Sequence, residues 1–377
     1  MSSRIDVGGT LVEGVDNVRS VVFNHFLDQF KSPIRVRPRV VDLNFCRLSY
    51  REGASLIKSF TLEELKNAVW DCDSYKCLGP YGVNFGFIKD FWVDMKDDLM
   101  RFVSDIHCNG KLMKGINSTF ITLIPKKDCP QRLNDYRPIS LVGSLYKVLA
   151  KLLANRLKGT IGSVISDSQS AFVQGRQIID GILVANEVVD EAKKLNRDLL
   201  LFKVDFEKAY DSVDWIYLDE VLCKMSFSVL WRKWMRECAT TAMAAVLVNG
   251  SPTEEFSLAQ GLRQGDPLSP FLFLGAEEGF HVMMDSLVSN NIFTAYKVGC
   301  DRSLDVSHLQ FADDTLLVGN ISWANVRAMC AALYLFEAMS SLKVNFQKSE
   351  LVGVDASRSW LLEAATVDAS PSGNCSF

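Results

Sequence analysis

The apolar positions in the first part of the chain recur mostly at the three- and four-residue spacing of helices. Between Val18 and Phe30 the apolar residues fall at positions 18, 22, 26 and 30, which predicts a short amphipathic helix. The capping box Thr61-Leu-Glu-Glu64 predicts the start of another helix. Phe120–Ile124 has the pattern of a short strand that stops at Pro125. This part of the chain is therefore predicted to contain helices and one short strand.

Two longer helices are predicted after Pro138. The first has an apolar side made of Leu145, Val148, Leu149 and Leu152. Another side carries polar and basic residues, namely Lys147, Lys151, Asn155 and Lys158. Such a cationic stripe either follows phosphates or is a solvated face, and the pattern leaves both interpretations open. The second helix runs towards Lys194, with an apolar face formed by Ile178, Ile182, Ala185 and Val189.

Strand patterns are more frequent in the second half. Leu199–Val204 is the continuous apolar run of a buried strand. Ala245–Val248 and Thr253–Leu258 flank the turn dipeptide Asn249-Gly250, which predicts a β-hairpin. Ser269-Pro270 opens a helix, with the serine predicted as N-cap and the proline at the first helical position. The alternation of helices with strands indicates an α/β or α+β fold.

Composition excludes several classes of protein. The 377 residues are 48% hydrophobic and 23% charged, which is ordinary for a globular chain and not for a disordered one. No apolar run reaches the ~18 residues of a membrane helix, and the first thirty residues lack the pattern of a secretory signal. The ten cysteines include no Cys-x-x-Cys pair and only four histidines accompany them, so a disulfide scaffold and a zinc site are both poorly supported. We expect an intracellular protein with reduced thiols and no membrane partner.

The charge is unevenly distributed. The chain has a net charge of −4, yet Lys111 to Lys158 contains ten basic and two acidic residues, which gives this stretch +8. A basic lobe joined to an acidic remainder fits a polyanion-binding surface beside a carboxylate metal site. Chance clustering of charge is the other interpretation, and it stays open at this point.

Carboxylates stand at two positions that rigid strands would fix. Asp205 follows the buried strand directly, and Asp313-Asp314 occupies the turn between two short apolar strands within Leu309–Val318. Mg²⁺ prefers hard oxygen ligands of this kind and keeps sites for phosphates and water. The alternative is that Asp-Asp is simply good turn chemistry. Asp211 and Asp214 lie beyond the strand, where helix capping or solvation is the simpler assignment.

Seven motifs in order resemble those of reverse transcriptases. Three of them, Asp205–Val213, Gly261–Pro270 and Phe311–Asp314, are similar to the A, B and C motifs. Four others resemble the fingers and D motifs of the non-LTR, LINE-type branch: Leu123–Lys127, Asp135–Leu141, Gln169–Arg176 and Leu342–Ser349. The resemblance covers roughly residues 60 to 355, and the sequences of the motifs are most similar to those of plant LINE elements.

The resemblance implies a role for each matching residue. Asp205 and Asp313 would bind two Mg²⁺ ions (Mn²⁺ being possible), with Asp314 beside them, and Lys348 would be a proton donor to pyrophosphate. The nucleotide-binding residues would be Lys126, Arg137, Tyr210, Gln264 and Gly265, with Tyr210 as the aromatic gate that excludes a ribose 2′-hydroxyl. The template would be contacted by Arg176, Lys147 and Lys151. For Tyr210 and Lys348, a core tyrosine and a surface lysine are the alternatives.

The resemblance also implies an architecture. We expect an α+β fold comprising the fingers and palm of a right-hand polymerase, with a small antiparallel palm sheet and the thumb missing. The expected divisions are an N-terminal extension over 1–59, fingers over 60–198, palm over 199–355 and a truncated tail over 356–377. Two departures stand out: Lys76–Gly82 lacks the proline and aspartate usual in that turn, and Ser341 replaces a usual glycine. With no upstream endonuclease either, the chain is expected to be a fragment of a retrotransposon polyprotein.

The expected function is RNA-directed DNA polymerisation. Its partners would be an RNA template, a DNA primer and dNTPs, together with a possible element-encoded RNA-binding protein. The expected localisation is nuclear when the protein acts on target DNA, although no targeting signal is evident. Two alternatives are a catalytically inactive RNA-binding remnant and a group II intron maturase-like protein. The sequence Arg263–Pro267 speaks against the maturase.

Overall fold

The computed structural model describes residues 4–7, 9–32, 37–40, 43–75, 78–299 and 304–368. In this part of the chain the helices are α1 (Val15–Gln29), α2 (Tyr50–Leu56), α3 (Leu62–Trp70), α4 (Phe85–Asp90), α5 (Trp92–Asn109), α6 (Ser144–Lys158), α7 (Ile178–Leu195), α8 (Ala209–Ser212), α9 (Trp215–Lys224), α10 (Val229–Thr240), α11 (Ser269–Ser289), α12 (Trp323–Ser340) and α13 (Arg358–Asp368). The strands are β1 (Arg4–Val7), β2 (Thr10–Glu13), β3 (Ser118–Pro125), β4 (Tyr136–Val142), β5 (Leu199–Val204), β6 (Met243–Val248), β7 (Ser251–Pro252), β8 (Phe256–Ser257), β9 (Tyr296–Val298), β10 (Leu304–Val306), β11 (His308–Phe311), β12 (Asp314–Gly319) and β13 (Glu350–Val354).

The chain forms two compact units, each assembled from separate stretches. The first comprises the described residues of 1–35 with Leu48–Gly159 and Ser226–Leu272, and the second comprises the rest. The predicted mixed α and β architecture is confirmed. Parts of three predicted segments, at 33–36, 76–77 and 369–377, lie outside the described residues. Across the described ranges, no helix is both long and apolar enough to cross a lipid bilayer.

The sheet of the first unit has the order β4-β3-β6-β7, with β8 also paired to β6. Strands β3 and β6 are parallel, and the other pairs are antiparallel. The predicted hairpin after β6 is confirmed, since Asn249 and Gly250 both adopt positive φ, at 51° and 82°. Its second strand is not continuous as predicted. Of the predicted Thr253–Leu258 only β8 is a strand, and β7 lies before this segment. Between β7 and β8, the Thr253 N–H donates to the Val246 carbonyl and the Thr253 hydroxyl accepts from the Val246 N–H.

Helix α6 is buried on most of its circumference, which corrects the simple amphipathic prediction. Three of the four residues of the polar side are only half exposed, and Lys158 is the exposed one among them. Lys151 Nζ lies 3.6 Å from Asp71 Oδ2, and Lys147 Nζ lies 5.5 Å from the centroid of the Phe85 ring. The stripe is therefore largely engaged within the first unit, since α6 packs against α2 and α3.

The second unit is built on an antiparallel sheet with the order β11-β12-β5-β13. Helix α7 covers part of this sheet, and Val188 and Ala192 are completely buried against a core that includes Leu199 and Val318. The helix was predicted correctly, but the predicted buried face was wrong in its first two turns. Ile178 and Ile182 are 51% and 49% exposed, because only the second half of α7 packs into the core.

Candidate active site

Asp205 lies beyond the end of β5, a strand with neighbours on both sides. Val204, the last residue of β5, pairs with Thr315 of β12. Because the strands are antiparallel, Asp205 and Asp314 are the next residues beyond this pair and lie at the same edge of the sheet. The two carboxylate-bearing segments that the sequence places 109 positions apart are thus brought together by strand register.

The backbone of Asp205 is fixed by the segment that precedes β13. The N–H of Asn345 donates to the Asp205 carbonyl at 2.7 Å, and the N–H of Asp205 donates to Ser349 Oγ at 3.1 Å. Lys348 lies in the same segment, where its N–H donates to the Asn345 carbonyl at 3.0 Å and its side chain is exposed. The predicted D motif therefore contacts the backbone of the metal-ligand candidate, while the proton-donor role of Lys348 stays a prediction.

Asp313 belongs to the tight turn between β11 and β12. Phe311 pairs with Asp314, so Ala312 and Asp313 form a two-residue loop. Both aspartates are exposed, whereas Ala312 is buried and has a left-handed φ of 51°. The predicted hairpin is confirmed, but its two-residue loop is Ala312-Asp313 and not the predicted Asp313-Asp314, since Asp314 is the first residue of β12.

Tyr210 lies in α8, close to these carboxylates. Its ring is half-buried and stacks on Phe273, with ring centroids 4.4 Å apart and an angle of 15° between the planes. Burial raises the pKa of the Tyr210 phenol, and the negative charges of Asp313 and Glu277 raise it further. Tyr210 is therefore a neutral phenol beside Asp313, and its gate role stays a prediction.

Glu277 is a buried carboxyl group that the motif analysis did not identify. It is fully buried in α11, and Gln310 Nε2 donates to its Oε2 at 2.7 Å. Its Oε1 has no hydrogen-bond partner in the part of the chain that the structure describes. Burial raises the pKa of Glu277 well above its usual value, and the charge of Asp313 acts in the same direction. The only signal in the sequence was a Glu-Glu pair inside a predicted helix.

A second buried polar cluster lies next along α11. Glu278 accepts hydrogen bonds from the backbone N–H and hydroxyl of Ser166, and burial raises its pKa to about 8. His281 Nδ1 lies 2.8 Å from His308 Nε2, and Ser168 Oγ is within 3.2 Å of both rings. Burial lowers the pKa of His308 to about 3, with the charge of His281 acting in the same direction. These groups brace the helix that carries Glu277.

The other two aspartates of the A motif have structural positions. Asp214 caps α9, since its Oδ1 accepts from the Tyr217 N–H at 2.7 Å, so the predicted capping is confirmed. Asp211 is only 3% exposed, so solvation was the wrong assignment there.

The carboxylates at this sheet edge could supply two ligands to a divalent metal, and not a complete set of protein ligands. Within the described ranges, three or more His, Cys, Asp or Glu side chains nowhere converge closely enough to hold a metal ion. Mg²⁺, however, is usually bound by one or two carboxylates, with waters and substrate phosphates as the remaining ligands. Asp205 and Asp313 offer hard oxygen donors at one sheet edge, which suits that mode of binding.

In the first unit, Gln264 and Gly265 form a turn held against β4. The Ser140 N–H donates to the Gln264 carbonyl at 2.7 Å. Gly265 has φ of 102°, and a Cβ at this position would lie 2.9 Å from the Ser140 carbonyl oxygen. Only glycine fits both the conformation and the close approach. The predicted turn chemistry is confirmed, and contact with the nucleotide stays a prediction.

A buried network supports this turn. Arg263 Nη2 lies 2.9 Å from Asp266 Oδ2, which also accepts from the Tyr146 hydroxyl at 2.7 Å. Arg263 Nη1 donates to Asn117 Oδ1 at 2.6 Å, and the guanidinium lies 4.2 Å from the centroid of the Tyr146 ring. Motif matching assigned no role to Tyr146 and Asn117, because their partners are more than a hundred residues away in sequence.

Lys126 and Arg137 lie at the loop end of the β3–β4 hairpin, where Pro125 pairs with Tyr136. Arg137 is exposed and pairs with Ile124 across the strands, one residue before the end of the ladder. The Lys126 backbone N–H donates to the Asp135 carbonyl at 2.8 Å, and its Nζ donates to the Asn134 carbonyl at 3.2 Å. Two cationic side chains therefore lie near the loop end of this hairpin, and both are of the type that binds phosphate oxygens.

Arg176 is placed differently from the template-contact prediction. Its guanidinium binds the carbonyls of Ile165, Ser166 and Gln169 and lies 3.1 Å from Asp167 Oδ1. These contacts favour a structural role, and template contact by Arg176, Lys147 and Lys151 stays a prediction.

Comparison with known proteins identifies the family that the motifs resemble. The sequence profile of the family described as "Reverse transcriptase (RNA-dependent DNA polymerase)" matches residues 124–361, nearly two thirds of the chain. The "Transposon TX1 uncharacterized 149 kDa protein" of Xenopus laevis is 28% identical over 90% of this chain and 26% of its own length.

Two further relatives belong to another kind of element. The "Retrovirus-related Pol polyprotein from type-1 retrotransposable element R2" of Popillia japonica is 26% identical over 63% of this chain and 32% of its own length. The corresponding type-2 R2DM protein of Drosophila melanogaster is 25% identical over 68% of this chain and 23% of its own length. The chain thus spans about a quarter to a third of the curated relatives it matches.

Proposed function

Since the chain belongs to the reverse transcriptase (RNA-dependent DNA polymerase) family, we propose that it synthesises DNA on an RNA template as the polymerase part of a LINE-type, non-LTR retrotransposon protein. The observation that carries this proposal is the register of β5 and β12, which brings Asp205 and the Asp313-Asp314 turn to one sheet edge. The similarity of the motif sequences to those of plant LINE elements supports a plant source for this chain.

The carboxylates provide the positions at which the reaction is organised. Asp205 and Asp313 would hold two Mg²⁺ ions, or Mn²⁺, with Asp314 beside them. When bound, the ions would activate the primer 3′-hydroxyl and neutralise the departing pyrophosphate. The strands contribute rigidity, because a fixed pair of oxygen ligands needs no reorganisation when charge develops on the phosphates.

The remaining candidates are assigned to binding. We assign the β11-β12-β5-β13 sheet as the palm and the β3–β4 hairpin as part of the fingers. Arg137 and Lys126 would contact the triphosphate, and the guanidinium suits two phosphate oxygens at once. The stacked, neutral ring of Tyr210 is rigid enough to exclude a 2′-hydroxyl by its bulk. An RNA template, a DNA primer and dNTPs are the partners that follow.

Primer extension on an RNA template tests the proposal. The 377-residue protein should extend a DNA primer in the presence of Mg²⁺ and not in EDTA. Asp313→Asn should abolish extension while binding of the RNA–DNA hybrid is kept, since the change removes charge at the sheet edge and no packing. Retention of more than about a tenth of the wild-type rate, only ~1.4 kcal/mol of barrier, contradicts the assignment of Asp313.

The matched control is Asp97→Asn, an exposed aspartate on α5, which should extend like the wild type. If the wild-type protein binds the hybrid but does not extend it under any metal, the chain is instead the inactive RNA-binding remnant.

A further inference from the structure

Gln169 is a buried glutamine whose side chain is bound to the backbone of the Asp313 turn. It is 1% exposed, and its Oε1 accepts from the Ala312 N–H at 2.9 Å and from the Ala171 N–H at 3.0 Å. Its Nε2 lies 3.5 Å from the Ala312 carbonyl oxygen. The side-chain amide of Gln169 thus contacts both the backbone N–H and the carbonyl oxygen of Ala312, which immediately precedes Asp313.

Ala312 needs such support because of its conformation. Its φ of 51° is left-handed, and a residue with a Cβ is strained there unless its surroundings hold it. In two-residue hairpin loops glycine, asparagine and aspartate are the residues usually found with positive φ. Alanine has no side-chain oxygen with which to stabilise the turn itself, so the stabilising hydrogen bonds have to come from elsewhere.

Gln169 is itself held firmly against the neighbouring strand. The Gln310 N–H donates to the Ser168 carbonyl at 2.8 Å, and the Ser170 N–H donates to the Gln310 carbonyl at 3.0 Å. The Gln169 carbonyl accepts from Arg176 Nη1 at 2.7 Å. The segment 168–170 therefore pairs in parallel with β11 through a bridge between Gln169 and Gln310, and Arg176 supports this segment. This arrangement gives Arg176 a function without any contact with a template.

We propose that Gln169 is a positioning residue for Asp313, acting through the peptide of Ala312. The proposal deepens the proposed polymerase function and rests on it. The side-chain amide holds Ala312 in its left-handed conformation, and the adjacent Asp313 carboxylate is kept at the position that metal and nucleotide require. A displacement of a catalytic group by about 1 Å can cost ~100-fold in rate, so a loosened turn would act on turnover.

The test compares wild type, Gln169→Met, Ala312→Gly and the double variant. Methionine keeps the size of the side chain and removes its hydrogen bonds, and glycine removes the strain of the left-handed turn. Gln169→Met should lower kcat by ~10- to 100-fold with little change in the dNTP KM. Ala312→Gly alone should change kcat only slightly, and in the Gln169→Met background it should restore most of the loss. Gln131→Met, at an exposed glutamine, is the matched control and should resemble the wild type.

A second readout does not depend on activity. Amide hydrogen exchange of the peptide that spans 311–315 should be faster in Gln169→Met and should stay slow in Gln169→Glu, which keeps an acceptor oxygen for the Ala312 N–H. Unchanged exchange in Gln169→Met, or a loss of kcat that Ala312→Gly does not rescue, overturns the proposal. If the wild type shows no extension, the polymerase assignment fails, and the exchange measurement still decides whether Gln169 holds the turn. If Gln169→Met does not fold, Gln169→Leu, which also removes both hydrogen bonds to Ala312, is compared with and without Ala312→Gly.

Discussion

The ring of Tyr210 rests flat on the ring of Phe273, with centroids 4.4 Å apart. Phe273 is fully buried in α11, so the phenol above it has a firm support on one side. A steric gate has to be rigid, because a mobile ring would simply move aside for a 2′-hydroxyl. The stacking is therefore the structural basis of the first prediction.

Tyr210→Ala should raise incorporation of ribonucleotides relative to deoxynucleotides by ~10-fold or more, the size of a ~1.4 kcal/mol loss of discrimination. Tyr210→Phe should keep the discrimination, because the ring and its stacking remain. Competition between rNTP and dNTP in primer extension measures the ratio. Tyr50→Ala, at a tyrosine that is 94% exposed, is the control. An unchanged ratio in Tyr210→Ala would assign this tyrosine to packing alone.

Arg137→Ala should raise the KM for dNTP by about tenfold, with a smaller effect on kcat. The exposed guanidinium at the end of the hairpin is placed to meet phosphate oxygens, and a charge-assisted contact is worth about 1.5–3 kcal/mol. Steady-state extension over a range of dNTP concentrations separates the two constants. Arg132→Ala is the matched control, because Arg132 Nε lies 3.0 Å from Asp6 Oδ2 and has its own partner. Equal increases of KM in both variants would mean that the loss of one positive charge anywhere on this surface weakens dNTP binding, and not that Arg137 makes a specific contact.

Stability should depend on pH through the buried groups of the second unit. The folded pKa of Glu278 is about 8, above its ordinary value of 4.5, so the stability it contributes is present below 4.5 and is lost as pH rises towards 8. The folded pKa of His308 is about 3, below 6.5, so its contribution has the opposite slope between pH 3 and 6.5. Between pH 4.5 and 6.5 the contributions of Glu278 and His308 to stability change in opposite directions. Above pH 6.5 only the loss of stability from Glu278 remains.

The unfolding free energy should therefore fall between pH 6.5 and 8, by up to about 1.4 kcal/mol per pH unit from this carboxyl. Glu278→Gln should flatten the fall, since its amide oxygen can still accept from Ser166. Urea unfolding at closely spaced pH values measures the slope, and Glu363→Gln, at an exposed residue, is the control. An identical slope in wild type and Glu278→Gln would show that other groups control this pH range.

Arg263→Met should lower the unfolding free energy of the first unit by about 3–5 kcal/mol, because it leaves Asp266 as a buried charge without its partner. Arg101→Met removes an exposed ion pair with Asp98 and should cost no more than about 1 kcal/mol. Urea denaturation compares the two variants. Similar small losses in both would mean that the buried network contributes little to the stability of the turn.

Local pattern was enough to predict the elements that carry the aspartates. Leu199–Val204 was predicted as a buried strand and the turn at Asp313 was predicted as a hairpin, because each depends on residues adjacent in the sequence. The motif order then predicted the reverse transcriptase family, and the family match confirms it.

What the sequence did not predict depends on contacts between distant positions. Gln169 and Ala312 are 143 residues apart, and Tyr146 and Asp266 are 120 apart, so no periodicity connects them. The buried face of α7 was misjudged for a related reason. The helix is apolar on more than one side at its start, and only tertiary packing decides which residues are covered.

The order of the strands has a consequence for synthesis of the chain. β13 is the last strand of the described sequence, yet it pairs with five of the six residues of β5, from Leu199 to Lys203. A ribosome-bound chain that has not yet released Glu350–Val354 therefore exposes one edge of β5 as a row of unpaired backbone groups. Unpaired edges invite pairing with other chains. Premature termination before this strand should therefore yield aggregates and not a partly active enzyme.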